Sequence, residues 1–189
     1  MAGKTHQILG ITTGLGYLLT VSKPEYQSAT LGAVLVGSHL AALLPDLDQG
    51  TAMIWQSVPL GKVIGRVADP FIEHRNFSHS LLGAFLFSVC LYFLLGAFPD
   101  YWGIDRFITF GAIMAAYLSH ITADMVTVEG VPLFFPYSKM VGFPPKPFQG
   151  FRIVTGKWFE NLVVFTLINI VLILTVVIKW EHVKSLLFK

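Results

Sequence analysis

The stretch LVVFTLINIVLILTVVI, Leu162–Ile178, decides the fold class because its 17 residues include no charged side chain. A transmembrane α-helix needs about 20 predominantly apolar residues, and this segment approaches that length. Four further apolar segments precede it along the chain: Gln7–Val21, Ala29–Leu44, Leu81–Phe98 and Phe107–Ala123. The pattern predicts an all-α, polytopic membrane bundle of about five helices, forming a single membrane-embedded domain over residues 1–189.

The composition supports a lipid environment and excludes several other classes of protein. The 189 residues are 54% hydrophobic and only 13% charged, whereas soluble proteins average roughly 25% charged residues. Mean hydropathy is +0.66. The net charge of +2 and the lack of a basic run argue against nucleic-acid binding. The single cysteine, Cys90, excludes a disulfide framework and a thiolate metal site.

The order of the apolar segments predicts which polar segments share a membrane face. Five crossings place the N-terminus and two long loops, Pro45–Ser80 and Asp124–Asn161, on one side. That side holds eight of the 13 Lys and Arg residues, so the positive-inside rule places it in the cytoplasm. No small-x-small cleavage site follows the first segment, so we expect a retained helix rather than a signal peptide.

The two long loops differ in character. Thr51–Ala68 has several apolar residues among a few basic ones and predicts an amphipathic interfacial helix, broken at Pro59-Leu60-Gly61. Val131–Gly150 carries five prolines and several aromatics, which predicts an irregular aromatic loop at headgroup depth. A short hairpin around Arg152–Lys157, turning at Thr155-Gly156, is expected to follow it.

Eight acidic or imidazole side chains lie at the ends of the hydrophobic helices, all on the predicted cytoplasmic face. They are His6, Asp46, Asp48, His74, His79, His120, Asp124 and Glu160. Such residues at a bilayer edge are costly unless they meet a partner, a metal or a substrate. His120 and Asp124 are four residues apart and therefore share a helical face, a spacing that suits metal ligands. Imidazoles with carboxylates suit zinc, manganese or iron.

Each of these signals also has a simpler explanation. Ser78 can cap the third helix, and His74, His79 and Arg75 beside that helix N-terminus would also suit a phosphate. Asp residues after Pro45 can be turn formers, and a carboxylate opening the fifth helix complements its dipole. The argument for a metal site rests on their convergence from five helix ends. Eight candidates exceed the four ligands of one zinc site, which favours two ions, or one ion with carboxylates orienting its ligands.

Five segments carry a resemblance to a known family: KTHQILG (4–10), LLPDLD (43–48), HRNFSHS (74–80), SHITADMVTVEGVPLFFP (119–136) and TGKWFENLV (155–163). Over nearly the whole chain they resemble the YdjM/YvsG-like membrane-bound metal-dependent hydrolases. The resemblance implies a bacterial-type integral protein of the cytoplasmic membrane with a metal site. The matching positions are His6, Asp46, Asp48, His74, Arg75, His79, His120, Asp124 and Glu160. The order of these residues also resembles, more distantly, the zinc-dependent phospholipase C superfamily. That superfamily's further pair of histidines has no counterpart here, so one or two ions are expected rather than three.

These observations predict a membrane-bound hydrolase that cleaves a phosphoester or phosphodiester of a lipid or lipid-linked substrate, using metal-activated water. The expected divalent metal is zinc, with manganese or iron as alternatives. Its expected ligands are His6, Asp46, His79, His120 and Asp124, with His74 as a further one. Asp48 or Glu160 would accept the proton from water, and Arg75 would pair with the phosphate. The alternative is a non-catalytic membrane protein whose metal or polar cluster holds helix ends together or docks a cytosolic partner.

Overall fold

The computed structural model describes residues 1–21, 28–48, 77–137 and 139–188. Within these ranges there are six α-helices and no strand, which confirms the all-α class. They are α1 (Gly3–Val21), α2 (Ser28–Ala41), α3 (Leu81–Gly96), α4 (Arg106–Met125), α5 (Phe165–Ile178) and α6 (Trp180–Leu187). Short 3₁₀ turns occupy Leu44–Asp48, Asp100–Trp102 and Phe148–Phe151, and a π-helical turn, Phe159–Val164, leads directly into α5.

The starts of α3 and α4 follow from local side-chain capping. Ser80 has extended backbone angles, and its hydroxyl accepts a hydrogen bond from the Gly83 N–H at 3.0 Å. Asp105 caps α4 in the same way, accepting from the Ile108 N–H at 2.8 Å. Each cap satisfies an N–H that has no partner inside its own helix. The Ser80 cap fixes the direction in which the chain enters α3, directly after His79.

Helix α1 is central, packing against α2, α4 and α5, while α3 packs against α4. Glycines allow the close approach of α1 to α2. A Cβ at Gly14 would lie 2.0 Å from Ser38 Oγ, and one at Gly10 would lie 2.3 Å from Ala42 Cβ. Small residues at such contacts are the usual means by which helices pack closely in membranes. The approach brings the start of α1 beside the end of α2.

The buried apolar residues form two clusters. One joins α1, α2, α4 and α6: Leu15, Leu18, Leu19, Leu31, Val34, Ile108, Ala112, Val183 and Leu186. The other joins α2, α3, α4 and the following loop: Ala41, Ala84, Leu91, Leu95, Ile113, Ala116, Tyr117, Ile121 and Val131. The outward faces of α3 and α5 are also apolar, with Phe93 70% and Ile173 61% exposed. Large exposed apolar faces of this kind are typical of surfaces that contact lipid or a partner.

One stretch of the described residues, Phe159–Ile178, is long and apolar enough to cross a membrane, with 20 residues and a mean hydropathy of 2.7. Its apolar window is not buried inside the protein. Helices α2 and α3 are apolar but shorter, at 14 and 16 residues. The expectation of about five crossings therefore stays a prediction.

The aromatic segment after α4 is irregular, as its prolines predict, and it folds back onto the end of α4. Val131 and Val141 exchange two backbone hydrogen bonds of 2.9 and 2.8 Å, and the Phe143 N–H donates to Met125 O at 2.7 Å. The turn expected at Thr155-Gly156 is present, with the Lys157 N–H donating to Val154 O at 3.3 Å, but the described residues show no hairpin pairing across Arg152–Lys157. Ile153 instead bonds to the segment after α4, donating to Val126 O and accepting from the Val128 N–H, both at 3.0 Å. The expected interfacial helix Thr51–Ala68 lies outside the described residues.

Candidate metal centre

Four helical ends meet at one end of the bundle and bring together side chains that are distant in sequence. His6 lies in the first turns of α1, and Asp46 lies in the 3₁₀ turn after α2. His79 directly precedes the cap of α3, and His120 and Asp124 lie in the last two turns of α4. Because successive helices run in opposite directions, the start of α1 and α3 meets the end of α2 and α4.

Four donor atoms from Asp46, His79, His120 and Asp124 lie within 4.8 Å of one another. The Nε2 atoms of the two imidazoles are 3.2 Å apart. His79 Nε2 is 3.4 Å from Asp124 Oδ2 and 3.5 Å from Asp46 Oδ1. His120 Nε2 is 3.7 Å from Asp124 Oδ2 and 3.6 Å from Asp46 Oδ1. We call these four residues the donor cluster.

The spacing of the donor cluster fits a small divalent ion. Zinc binds imidazole nitrogen and carboxylate oxygen at about 2.0–2.2 Å. Two tetrahedral ligands at that bond length lie roughly 3.4 Å apart, by the geometry of the tetrahedron. The five nitrogen–nitrogen and nitrogen–oxygen separations, from 3.2 to 3.7 Å, bracket that value. Two imidazoles and two carboxylates also match the ligand types that zinc, manganese and iron accept.

A backbone carbonyl fixes the orientation of the His120 ring. His120 Nδ1 lies 2.6 Å from Ala42 O. A carbonyl oxygen only accepts hydrogen bonds, so Nδ1 carries the proton and donates. In the neutral ring Nε2 is then unprotonated, and its lone pair points into the donor cluster. Metal-binding histidines are commonly oriented by a second hydrogen bond of this kind.

The two carboxylates change the protonation of the metal-free cluster. Burial by itself lowers the pKa of His79, but hydrogen bonds to Asp124 and Asp46 leave that pKa raised above its ordinary value. For Asp46, burial acts to raise the pKa, but the neighbouring imidazoles of His120 and His79 hold it well below its usual range. Asp46 is therefore ionised at neutral pH, and His79 readily holds a proton when no cation is bound.

The cluster is closed on most sides. The side chains of His79 and His120 are 0% exposed and that of Asp124 is 1% exposed, whereas Asp46 is 15% exposed. Solvent therefore reaches the cluster from the Asp46 side. Burying two carboxylates away from water is unfavourable unless a positive charge compensates them.

His6 lies beside the donor cluster but outside the group of four. Its ring stacks on His120 with 3.6 Å between the ring centroids and 10° between the planes. His6 Nε2 faces the other carboxylate oxygen of Asp124, Oδ1, at 3.1 Å. The Met1 nitrogen contacts the same oxygen. The two oxygens of Asp124 thus face different groups, Oδ2 the donor cluster and Oδ1 the start of α1.

Glu160 is fully buried in the π-helical turn, where its carboxylate accepts two backbone hydrogen bonds. Oε1 accepts from the Ala2 N–H and Oε2 from the Gly156 N–H, each at 2.6 Å. Glu160 therefore joins the start of α1 to the segment that enters α5. The sequence predicts a proton acceptor at Glu160 or at Asp48, whereas both oxygens of Glu160 already accept hydrogen bonds from backbone donors.

The structure thus brings together five of the expected ligands, His6, Asp46, His79, His120 and Asp124, and places Glu160 next to them. Asp48 is the last residue of the 3₁₀ turn that carries Asp46, and its side chain is not among those that the structure describes. His74 and Arg75 also lie outside the described residues. Their expected roles stay predictions.

Two contributors to the site were missed by sequence reasoning. Ala42 O orients His120, and the Tyr117 hydroxyl donates to Ser78 O at 2.6 Å, holding the residue before His79. A backbone carbonyl gives no side-chain signal in a sequence. Tyr117 precedes His120 by three residues on α4, so its place on the same helical face could have been recognised.

Comparison with known proteins places this chain in a family. The model of the family described as "YdjM inner membrane protein" matches residues 1–184. The inner membrane proteins YdjM of Escherichia coli K12 and Shigella flexneri are each 37% identical over 108 residues, 54% of this chain. That match spans 49% of their length, so the chain aligns with about half of each.

A third relative aligns over more of the chain. The uncharacterised protein YvsG of Bacillus subtilis 168 is 29% identical over 163 residues, covering 86% of this chain and 87% of YvsG. No solved structure gives a significant match. The family match covers every residue of the donor cluster as well as His6 and Glu160. This chain belongs to the YdjM inner membrane protein family.

Proposed function

We propose that this chain is a hydrolase of the bacterial inner membrane that cleaves a phosphoester or phosphodiester of a lipid or lipid-linked substrate. The observation that carries the proposal is the buried donor cluster, whose imidazole and carboxylate atoms have the separations expected of ligands to one small divalent ion. The inner-membrane location is taken from the names of the family and of its YdjM relatives.

The residues of the cluster have separable tasks in this proposal. Asp46, His79, His120 and Asp124 hold the ion, and Ala42 O keeps the His120 lone pair directed at it. A bound divalent ion would polarise a phosphoryl oxygen and lower the pKa of water toward neutrality. Zinc is the ion that best fits the tetrahedral spacing, with manganese and iron as the alternatives.

Proton transfer and phosphate binding are assigned to two side chains that lie outside the described part of the chain, and both roles are taken from the sequence. Both oxygens of Glu160 accept backbone hydrogen bonds, so the proposal gives the proton-accepting role to Asp48. Arg75 is proposed to pair with the phosphate through two parallel hydrogen bonds. The multi-pass topology, with N-terminus and site in the cytoplasm, remains part of this proposal.

A lipid substrate is favoured by the surroundings of the site. The segment that folds back onto the end of α4 exposes Phe143, Phe148 and Phe151, which are 63%, 59% and 81% exposed. Aromatic side chains are enriched at the boundary between membrane and water. Because the Phe143 N–H bonds to Met125 O, next to Asp124, an acyl chain lying beside this segment would hold its headgroup phosphate near the donor cluster.

The test begins with metal content. Wild-type protein purified in detergent is expected to retain about one ion per chain in the donor cluster. His120→Ala and Asp124→Ala are each expected to lose that ion. His39→Ala, which removes a half-buried histidine in the last turn of α2 that is outside the donor cluster, is the matched control and is expected to keep it. Full metal content in both cluster variants would overturn the ligand assignment.

The second step measures hydrolysis of phospholipids and lipid-linked phosphates in mixed micelles, with phosphate release as the readout. Activity is expected in wild type and in His39→Ala, and not in His120→Ala. Wild-type protein that holds metal but releases no phosphate or phosphorylated headgroup from any of these substrates would contradict the hydrolase proposal.

One observation favours a second candidate, a non-catalytic metal site that holds the helix ends together. The donor cluster offers four protein ligands, which would complete a closed tetrahedral site, whereas catalytic zinc sites keep one position open. X-ray absorption of the zinc-loaded protein distinguishes the two. A shell of four protein ligands without water supports the structural role, and a shell that includes water supports the hydrolase.

A further inference from the structure

The Asp124 carboxylate faces two different sets of groups, which suggests two cation positions rather than one. Oδ2 lies 3.4 Å from His79 Nε2 and 3.7 Å from His120 Nε2, inside the donor cluster. Oδ1 points to the opposite side, toward α1, where it lies 3.1 Å from His6 Nε2. Carboxylates that present one oxygen to each side commonly bridge a pair of ions about 3.5–4 Å apart.

His6 supplies an independent observation. Its side chain is 0% exposed, yet within the described residues Nδ1 has no hydrogen-bond partner, and the contact of Nε2 with Asp124 Oδ1 falls short of good hydrogen-bond geometry. A buried polar atom without a hydrogen bond costs about 1–3 kcal/mol, so such atoms in a folded protein generally indicate a ligand, an ion or a water. The stack on His120 holds the ring in place and leaves Nε2 directed at Asp124.

The distance between these two atoms also suits an ion. Two ligands bound at about 2.1 Å and at a right angle lie roughly 3.0 Å apart. The observed 3.1 Å between His6 Nε2 and Asp124 Oδ1 is close to that value. The Met1 nitrogen is drawn to the same oxygen, which shows that Oδ1 attracts groups bearing positive charge.

We infer that His6 Nε2 and Asp124 Oδ1 form a second divalent-cation subsite, bridged through Asp124 to the ion of the donor cluster. This rests on the proposed metal-dependent function and extends it to a two-ion centre. The two carboxylates of the donor cluster balance the charge of one divalent ion, so the second ion binds more weakly than the first. A cation at this subsite takes the place of the Met1 contact with Oδ1.

The experiment uses Mn²⁺ as the probe, because its paramagnetic resonance reports both occupancy and the coupling between neighbouring ions. The purified, metal-depleted full chain is titrated with Mn²⁺ in detergent. Wild type is expected to bind one ion tightly and a second more weakly, and the second is expected to produce a spin-coupled signal. His6→Ala is expected to keep the tight ion, lose the coupled signal and bind the second at least about tenfold more weakly.

Two further variants keep the result interpretable. His6→Gln retains a polar side chain of similar reach and is expected to fold even where His6→Ala does not, while still weakening the second ion. His39→Ala removes a histidine elsewhere and is expected to behave as wild type. A uniform mononuclear signal in wild type and His6→Gln alike, at one ion per chain, would overturn the second subsite and leave the one-ion hydrolase intact. Wild-type protein that binds no Mn²⁺ would remove the support for both.

Discussion

Replacement of Glu160 by glutamine tests whether this buried carboxylate holds the start of α1 in place. The two oxygens of Glu160 accept hydrogen bonds of 2.6 Å from the Ala2 and Gly156 N–H groups. Glutamine offers one acceptor oxygen and one NH₂ group, so one backbone N–H would face another donor. A buried donor left unsatisfied costs about 1–3 kcal/mol. For a chain of this size, about 2 kcal/mol corresponds to a Tm lower by roughly 4–8 °C.

The assay is thermal unfolding in detergent, followed by the helical circular dichroism signal. Glu129→Gln is the matched control, since it removes the same charge from an exposed residue, whose carboxylate accepts from the Thr155 hydroxyl at 3.0 Å. Surface substitutions of this kind generally change stability by less than about 0.5 kcal/mol. If Glu160→Gln lowered Tm no more than Glu129→Gln does, the reasoning from the two backbone hydrogen bonds would be refuted. Metal content is expected to stay unchanged in both variants, because neither residue belongs to the donor cluster.

Three other predictions concern packing, protonation and the membrane. A Cβ at Gly83 would lie 2.2 Å from the Phe77 carbonyl oxygen, so Gly83→Ala is expected to lower both the Tm and the metal content. Gly32 has open space around it, so Gly32→Ala is expected to raise the Tm slightly. Because the pKa of His79 is raised in the metal-free protein, zinc binding is expected to release a proton from that imidazole, and zinc affinity is expected to weaken as the pH falls through that pKa. A zinc affinity that calorimetry finds independent of pH between pH 6 and 8 would contradict this. Leu167→Arg, at an exposed position near the centre of the Phe159–Ile178 stretch, is expected to disfavour membrane insertion by about 2.5–3.5 kcal/mol. Unchanged insertion in a glycosylation-mapping assay would argue against a crossing there.

The helices and the convergence of the site could be predicted because their causes are local or topological. His120 and Asp124 share a helical face whatever the tertiary structure, as their spacing requires. The prediction that Asp46 and His79 lie close together needed the topology of the bundle, because helices that alternate in direction bring the end of one helix to the start of the next. That argument needs helix order but no packing detail, and the observed separation of 3.5 Å between His79 Nε2 and Asp46 Oδ1 agrees with it.

The parts that sequence reasoning missed depend on backbone atoms or on short elements. The role of Glu160 is set by two backbone N–H groups from distant segments. Every residue except proline has such a group, so the residue types in the sequence do not show which one will bind a given carboxylate. The hairpin around Arg152–Lys157 was wrong because Ile153 bonds to the segment after α4, a pairing between residues distant in sequence that a local turn signal does not reveal. Helix α6 was overlooked because it has only eight residues, although Val183 and Leu186, three residues apart, are both buried in the core.

The charge of the donor cluster explains why metal binding and protonation should be coupled in this protein. Asp46 and Asp124 bring two negative charges into a largely buried site, and the three nearby imidazoles carry no charge when neutral. Without a cation, a proton on His79 provides part of the compensation, and this is the reason that its pKa is raised. That contribution to stability is complete below the ordinary histidine pKa and is lost as the pH rises through the raised pKa. A divalent ion supplies the same compensation at every pH at which it stays bound. The metal-free protein should therefore lose stability on going from neutral to mildly alkaline pH, and the metal-bound protein should not.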